Sequence, residues 1–183
     1  MILELILKAI YFFLPAYFSN MTPPVIVNIP FIKKFNFPLD FKKILFKKRI
    51  FGDNKTIIGS ISGIIASLII FQIQKYLFNF NFFQNISIIN YNELSLLFPF
   101  LLGFGTVLGD IIKSFIKRRL NILPGASFPI ADQLDFVIFA LLLSSLIYIP
   151  SINIILVLII ITPILCLIIN FIAFKLKLKK VWY

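Results

Sequence analysis

Five runs of mainly apolar residues, each near the length of a membrane-crossing helix, constrain this sequence more than any other feature. A helix needs about 20 apolar residues to cross a bilayer. Hydrophobic residues make up 60% of the chain, against roughly 45–50% in soluble domains. The runs cover Met1 to about Phe18, about Ile57–Phe78, about Leu94–Gly109, about Leu134–Ile149 and about Ile152–Phe174. The loops are too short for a soluble core, so residues 1–183 are predicted to form one all-α domain, a polytopic membrane helix bundle with about five transmembrane helices.

Basic residues predict how the bundle is oriented. All but two of the 18 Lys and Arg residues lie in Ser19–Thr56, in the loop after the third run, or in the C-terminal tail. Five crossings put these segments on one side, opposite the cation-free loop Asn79–Glu93. The positive-inside rule then predicts an N-terminus outside and a C-terminus in the cytoplasm. Lysines near anionic headgroups account for the net charge of +11, so no nucleic-acid partner is expected.

Three sequence features limit the possible chemistry. The chain has no histidine, and its one cysteine, Cys166, lies in an apolar run. Histidine bases, disulfides and thiolate metal sites are therefore excluded. Glu4 and Lys8 are spaced to pair on one helix face. Because a signal peptide expects a basic start, acidic Glu4 favours a retained first helix.

The main polar patch interrupts the apolar sequence after the third run. If the third helix continues through Arg119, then Asp110, Lys113, Ser114 and Lys117 lie on one face, because they are spaced i, i+3, i+4 and i+7. A carboxylate, two ammonium groups and a hydroxyl would then line a single groove. Charge at the end of a membrane helix is costly and usually functional.

Two further acids, Asp132 and Asp135, are spaced i,i+3 in the first turn of the fourth helix. The turn residues Pro124-Gly125 and Pro129 would bring them toward Asp110. Three clustered carboxylates without histidine suit Mg²⁺, which prefers a few carboxylates plus phosphate oxygens. The neighbouring cations exceed what one ion pair needs and are available for phosphates: Lys113, Lys117, Arg118 and Arg119. The alternative interpretation is N-capping by Asp132 and a basic collar at the membrane surface.

A second polar patch consists of Asp40 and the segment 51–59, which opens the second long helix on the same side. Thr56 or Asp53 is predicted to cap that helix. The functional alternative is that Lys55 and Thr56 bind nucleotide phosphates at a helix N-terminus. The segment is not a Walker loop, because Asn54 stands where a glycine is required.

The glycine pairs Gly59/Gly63 and Gly105/Gly109 are spaced four residues apart within apolar runs. This spacing is typical of surfaces where two helices pack closely. A dinucleotide-binding fingerprint is not supported, since the glycines do not follow a soluble strand.

Together the patches resemble those of the archaeal CDP-archaeol synthases, membrane cytidylyltransferases related to bacterial CDP-diacylglycerol synthases. The matching residues span nearly the whole chain and are Pro15-Ala16-Tyr17, Asn20, Pro24, Pro38-Leu39-Asp40, Phe51-Gly52-Asp53-Asn54-Lys55-Thr56, Gly59, the stretch from Gly109-Asp110 to Lys117-Arg118-Arg119, Pro124-Gly125 and Asp132-Gln133-Leu134-Asp135-Phe136. The bacterial relatives carry a glycine- and histidine-containing stretch after the Pro-Gly and an Asp-Arg-x-Asp motif. Ala126-Ser127-Phe128 and Gln133 depart from both and favour the archaeal branch.

The resemblance implies transfer of CMP from CTP to 2,3-bis-O-(geranylgeranyl)glycerol 1-phosphate at the cytoplasmic face of the cell membrane, with Mg²⁺ and release of pyrophosphate. The expected metal ligands are Asp110, Asp132 and Asp135. The expected phosphate-binding residues are Lys113, Lys117 and Arg118. The expected contacts to nucleotide come from Asp53, Lys55, Thr56, Ser114 and Gln133.

Two alternatives stay open at this stage. The same reaction on a diacylglycerol phosphate is one, because apolar linings do not separate ether isoprenoid from ester acyl chains. A small non-enzymatic transporter is the other. It predicts polar residues through the membrane midplane, whereas here the charges gather at one face. A homo-oligomer is possible on either reading.

Overall fold

The computed structural model describes residues 2–123, 126 and 128–175, which form helices and one small hairpin. The helices are α1 (Ile2–Ile26), α2 (Pro30–Lys33), α3 (Ile57–Leu77), α4 (Asn81–Asn85), α5 (Leu97–Arg119), α6 (Ala131–Ser144) and α7 (Ile152–Lys175). The strands β1 (Ile44–Leu45) and β2 (Lys48–Arg49) form an antiparallel hairpin before α3. The predicted all-α membrane architecture is confirmed. The predicted turn at Pro124-Gly125 and most of the basic tail lie outside the described residues.

The long helices differ from the predicted apolar runs mainly at their ends. Within the described residues, α1, α3, α5 and α7 are long and apolar enough to cross a membrane. The first helix continues to Ile26 instead of ending near Phe18, with Pro23 and Pro24 inside it. The third run continues to Arg119, as the face of charged residues requires. Because α6 has only 14 residues, the count of five spans and the orientation remain predictions.

Aromatic side chains fill the centre of the bundle. The fully buried rings of Phe12, Phe71 and Phe98 come from α1, α3 and α5. Phe12 and Phe71 each lie about 6 Å from Phe98, centroid to centroid. Aromatic pairs at this separation add favourable contact energy beyond area burial. The core thus joins the helices that carry the predicted site.

Close packing and buried hydrogen bonds fix α5 against its neighbours. A Cβ at Gly105 would lie 2.4 Å from the Phe139 carbonyl oxygen of α6, and one at Gly109 would lie 2.6 Å from that of Asp135. Ser67 of α3 donates to the Pro99 carbonyl at 2.7 Å. Small residues and interhelical hydrogen bonds are the usual means of holding membrane helices together, so the predicted packing role of Gly105 and Gly109 is confirmed.

Residues 34–56, here called the hairpin segment, connect the short α2 to α3. Its chain turns twice at the dipeptides Phe41-Lys42 and Phe46-Lys47, where all four residues have positive φ. Two successive positive φ angles are the requirement of tight hairpin turns, normally met by Asn or Gly. The second turn joins β1 to β2, and the first leaves Asp40 beside the segment that leads into α3.

Candidate active site

The ammonium of Lys113 in α5 is surrounded by three carboxylates. Its Nζ lies 3.1 Å from Asp110 Oδ1, 3.4 Å from Asp132 Oδ1 and 2.8 Å from Asp135 Oδ2. Asp110 is one helical turn before Lys113, and the other two acids come from the first turn and a half of α6. The close α5–α6 contact at Gly109 brings these groups together. We call Lys113, its three acids and Lys55 the Lys113 cluster.

Lys55 completes the cluster from the other side. Its Nζ donates to Asp110 Oδ2, which ties the residue before α3 to the middle of α5. The Leu39 N–H donates to the Lys55 carbonyl at 2.8 Å, so the hairpin segment fixes the Lys55 backbone. Thr56 is the N-cap of α3, and its hydroxyl accepts from Gly59 N–H at 3.2 Å. The predicted cap at Thr56 is confirmed.

Asp135 is the least satisfied acid of the cluster. Its side chain is 7% exposed, yet neither carboxylate oxygen receives a hydrogen bond of good geometry. Buried carboxylate oxygens normally have several donors, because an unmatched buried charge is costly. The ion pair with Lys113 is its one charged contact among the described residues. Asp135 therefore has capacity for a further electropositive partner.

Asp132 and Lys117 organise the start of α6. Lys117 Nζ donates to both oxygens of Asp132, at 3.1 and 3.2 Å, and to the Ala126 carbonyl at 2.6 Å. Asp132 Oδ2 also accepts from the Phe128 N–H at 2.7 Å. The N-cap position is held by Ile130, with φ 66° and no side-chain cap. Asp132 thus holds the preceding loop instead of capping α6.

The remaining predicted site residues are not drawn into the cluster by any contact of the described residues. Asp53 is 70% exposed and pairs with Arg49 at 2.9 Å. Ser114 is buried within α5, and Gln133 is half-buried. Arg118 is half-buried with no ion pair to the described residues, and its Nε has no hydrogen-bond partner. Their contacts with nucleotide or phosphate stay predictions.

Sequence reasoning assigned no role to Asp40, which is the structural centre of the hairpin segment. Its buried carboxylate receives two bonds from Arg49, at 2.7 and 3.2 Å, and backbone N–H bonds from Lys42, Phe51 and Gly52. Burial alone would raise the pKa of Asp40, but these donors hold it well below its usual range. The same pair raises the pKa of Arg49. Asp40 is the first acid in a segment of many lysines, which was the available signal.

A second unassigned contact joins the hairpin to the end of α5. Arg119 donates to the Leu45 carbonyl and, at 2.7 Å, to the Arg49 carbonyl. Lys48 Nζ returns a bond to the Arg119 carbonyl at 3.0 Å. The guanidinium's several donors in one plane suit it to bridging two carbonyls. No residue spacing indicates this contact, because the partners are backbone atoms about 70 positions away.

The donor set of the cluster fits Mg²⁺ when phosphate oxygens supply part of the coordination. Within the described residues no three acidic, histidine or cysteine side chains form a ready metal cage. Mg²⁺ seldom needs one, since it usually takes one or two carboxylates plus substrate phosphates and water. The unbonded oxygens of Asp135 and the nearby Asp110 carboxylate are ligands of this kind.

Comparison with known proteins bears directly on this site. A family model described as CarS-like CDP-archaeol synthase matches residues 2–183. The CDP-archaeol synthases of Methanococcus maripaludis strain S2 and Archaeoglobus fulgidus are 37% and 38% identical, over 100% and 98% of this chain and 99% and 98% of their own lengths. A solved structure of an intramembrane enzyme of archaeal membrane lipid biosynthesis is 29% identical, with a TM-score of 0.72 over 90% of this chain and 94% of its own. The chain is therefore a multi-pass membrane protein that belongs to the CDP-archaeol synthase family.

Proposed function

We propose that this chain transfers CMP from CTP to 2,3-bis-O-(geranylgeranyl)glycerol 1-phosphate, giving CDP-archaeol and pyrophosphate, and that the transfer takes place at the Lys113 cluster. Full-length similarity to relatives named CDP-archaeol synthase supports the reaction. The observation that supports the location is the convergence of three carboxylates and two lysines from α5, α6 and the segment before α3.

The reaction needs charge neutralisation and positioning more than proton transfer. An ionised oxygen of the lipid phosphate attacks the α-phosphorus of CTP and forms the new P–O bond. The bond from the α-phosphorus to the oxygen bridging to the β-phosphorus breaks, and pyrophosphate leaves with that electron pair. Because the phosphate monoester is already ionised near neutral pH, the absence of histidine is no obstacle. Aligning two anions and spreading their charge lowers the barrier.

Lys55 and Lys113 are suited to hold the anionic groups. In the described structure their ammonium charges are balanced by Asp110 and Asp135. Triphosphate or lipid phosphate oxygens would replace these carboxylates as partners of the lysines. Asp110 and Asp135, with Asp132 beside them, would hold Mg²⁺, which when bound neutralises charge on the triphosphate. Lys117 and Asp132 keep the start of α6 in place.

The site is proposed to open to the cytoplasm, where CTP is present. The cation-rich hairpin segment lies at the same end of the bundle as the cluster, because Arg119 and Lys55 connect the two. Positive-inside placement supports that assignment. A membrane-impermeant thiol reagent should label Lys47→Cys in inverted vesicles and not in right-side-out vesicles.

A direct transfer assay tests the function. Purified protein is given CTP labelled at the α-phosphate, Mg²⁺ and either the geranylgeranyl ether phosphate or a diacylglycerol phosphate, and labelled lipid is counted. The wild-type protein should label the ether lipid, and Asp110→Asn should not. Glu93→Gln, an exposed acid far along the chain from the cluster, is the matched control. Label in the ester lipid alone would assign the other substrate, and an active Asp110→Asn variant would contradict the site.

A further inference from the structure

An apolar groove runs along the outer face of α5 and α6 and has the Lys113 cluster in its wall. Its volume is about 390 Å³, within the range of about 300–1,000 Å³ of typical ligand sites. The walls are formed by Ile112 and Ile116 of α5 and by Leu134 and Ile138 of α6. Lys113 and Asp135 also contribute to the lining. We call this the α5/α6 groove.

The floor of this groove is closed by the tightest helix contact in the site. At Gly109 the two backbones approach so closely that an added Cβ would lie 2.6 Å from the Asp135 carbonyl oxygen. The rim is open, since Ile116 and Ile138 are substantially exposed. In a membrane helix such exposed isoleucines face lipid. The groove is therefore open sideways to the bilayer and closed toward the core.

A second groove in the same molecule shows which part of this arrangement is specific. The α3 groove, lined by Leu68, Ile69, Gln72, Ile73, Tyr76 and Leu96, has a similar volume of about 470 Å³. No charged residue lines it, so it offers nothing to an anionic headgroup. Only the α5/α6 groove, of the two, combines an apolar wall with an ammonium.

From this combination we infer that the α5/α6 groove holds one apolar chain of the lipid phosphate substrate, which reaches the Lys113 cluster sideways from the bilayer. The inference rests on the proposed function and adds to it the access route of the lipid. Charge complementarity fixes the direction of the lipid. Its phosphate lies at Lys113, and its chain runs along Leu134 and Ile138 toward the membrane interior.

Steady-state kinetics with matched tryptophan variants test the groove. Ile138→Trp fills the α5/α6 groove, and Ile69→Trp fills the α3 groove. The two isoleucines are 52% and 54% exposed, so neither change disturbs the core. Ile138→Trp should raise the apparent KM for the lipid phosphate about 10-fold and leave the KM for CTP unchanged, because it removes substrate binding alone. Ile69→Trp should change neither. An unchanged lipid KM in Ile138→Trp, or an equal rise in Ile69→Trp, would overturn the inference.

A binding measurement separates failure of the groove from failure of the proposed reaction. In a Cys166→Ala background, Ile116→Cys should be protected from maleimide by the geranylgeranyl ether phosphate and not by the same lipid without its phosphate. Leu96→Cys, in the α3 groove, should not be protected by either. Protection without labelled product would keep the groove and refute the reaction. Product formation without protection would refute the groove.

Discussion

Asp40 and Asp135 are both buried carboxylates, and they differ in how their charge is met. Asp40 accepts hydrogen bonds from three backbone N–H groups and from both ends of the Arg49 guanidinium. Asp135 has an ion pair with Lys113 and no well-aligned hydrogen bond. A saturated carboxylate has no capacity for a ligand, and its bonds stabilise the fold. An unsaturated carboxylate adds little to stability and has unused acceptor capacity.

This difference separates two regions of the molecule. The hairpin segment is built around a completed network that orients the chain leading to Lys55. The Lys113 cluster is an incomplete network in which lysines and acids neutralise one another until anionic substrate replaces some of the contacts. Removal of an acid should therefore affect stability in the first region and turnover in the second.

The largest effect is expected for Asp135→Asn. The change removes a proposed metal ligand while keeping the size of the side chain, so kcat should fall about 100-fold or more, typical for loss of an electrostatic contact in the transition state. The melting temperature should stay within a few degrees of wild type, since few bonds are lost. Turnover and thermal unfolding in detergent measure the two effects. Strong destabilisation with near-normal kcat would place Asp135 in the same class as Asp40.

The opposite pattern is expected for Asp40→Ala. It leaves Arg49 and the N–H groups of Phe51 and Gly52 without their acceptor, which should cost about 3 kcal/mol of unfolding free energy. Thermal or denaturant unfolding of the purified protein measures this loss. Asp53→Ala, which removes the exposed partner of the same arginine, is the control and should have little effect. A stable Asp40→Ala variant would show that the hairpin segment is held by Arg119 instead.

A smaller effect is expected for Lys55→Ala. This variant removes the ammonium beside Asp110, and the apparent KM for CTP should rise about 10-fold, equal to roughly 1.4 kcal/mol of lost binding. Steady-state titration of CTP at saturating lipid measures the change. Lys43→Ala, in the same basic segment, is the matched control. An unchanged KM would leave Lys55 with only a structural contact to Asp110.

The smallest effect concerns acid. Since the pKa of Asp40 in the folded protein is depressed, its stabilisation is fully present above the unfolded pKa of about 3.9 and is lost as pH falls below it. Wild-type stability should therefore decline more steeply below about pH 4 than that of Asp40→Asn. Melting temperatures of both proteins between pH 6 and pH 3 provide the measurement. Parallel curves would mean that Asp40 titrates normally.

Sequence reasoning located the catalytic side of this comparison and missed the structural side. Residue spacing placed Asp110 and Lys113 on one helix face, and the acidic pair at the start of α6 was recognisable because charge is rare in apolar sequence. Asp40 was visible only as one acid among lysines, because most of its partners are backbone N–H groups that no side-chain pattern reports. The ends of α1 and α6 were misplaced for a related reason, since apolar composition does not show where helical hydrogen bonding stops.

The length of α6 has a consequence for the depth of the cluster. Fourteen residues rise about 21 Å at 1.5 Å per residue, whereas the hydrocarbon layer is about 30 Å thick. If its far end reaches the opposite headgroups, the acids of its first turn stand several ångströms below the near ones. A phospholipid can then present its phosphate by a small downward displacement within its own leaflet, while a water-soluble nucleotide has to descend into a local depression of the membrane surface.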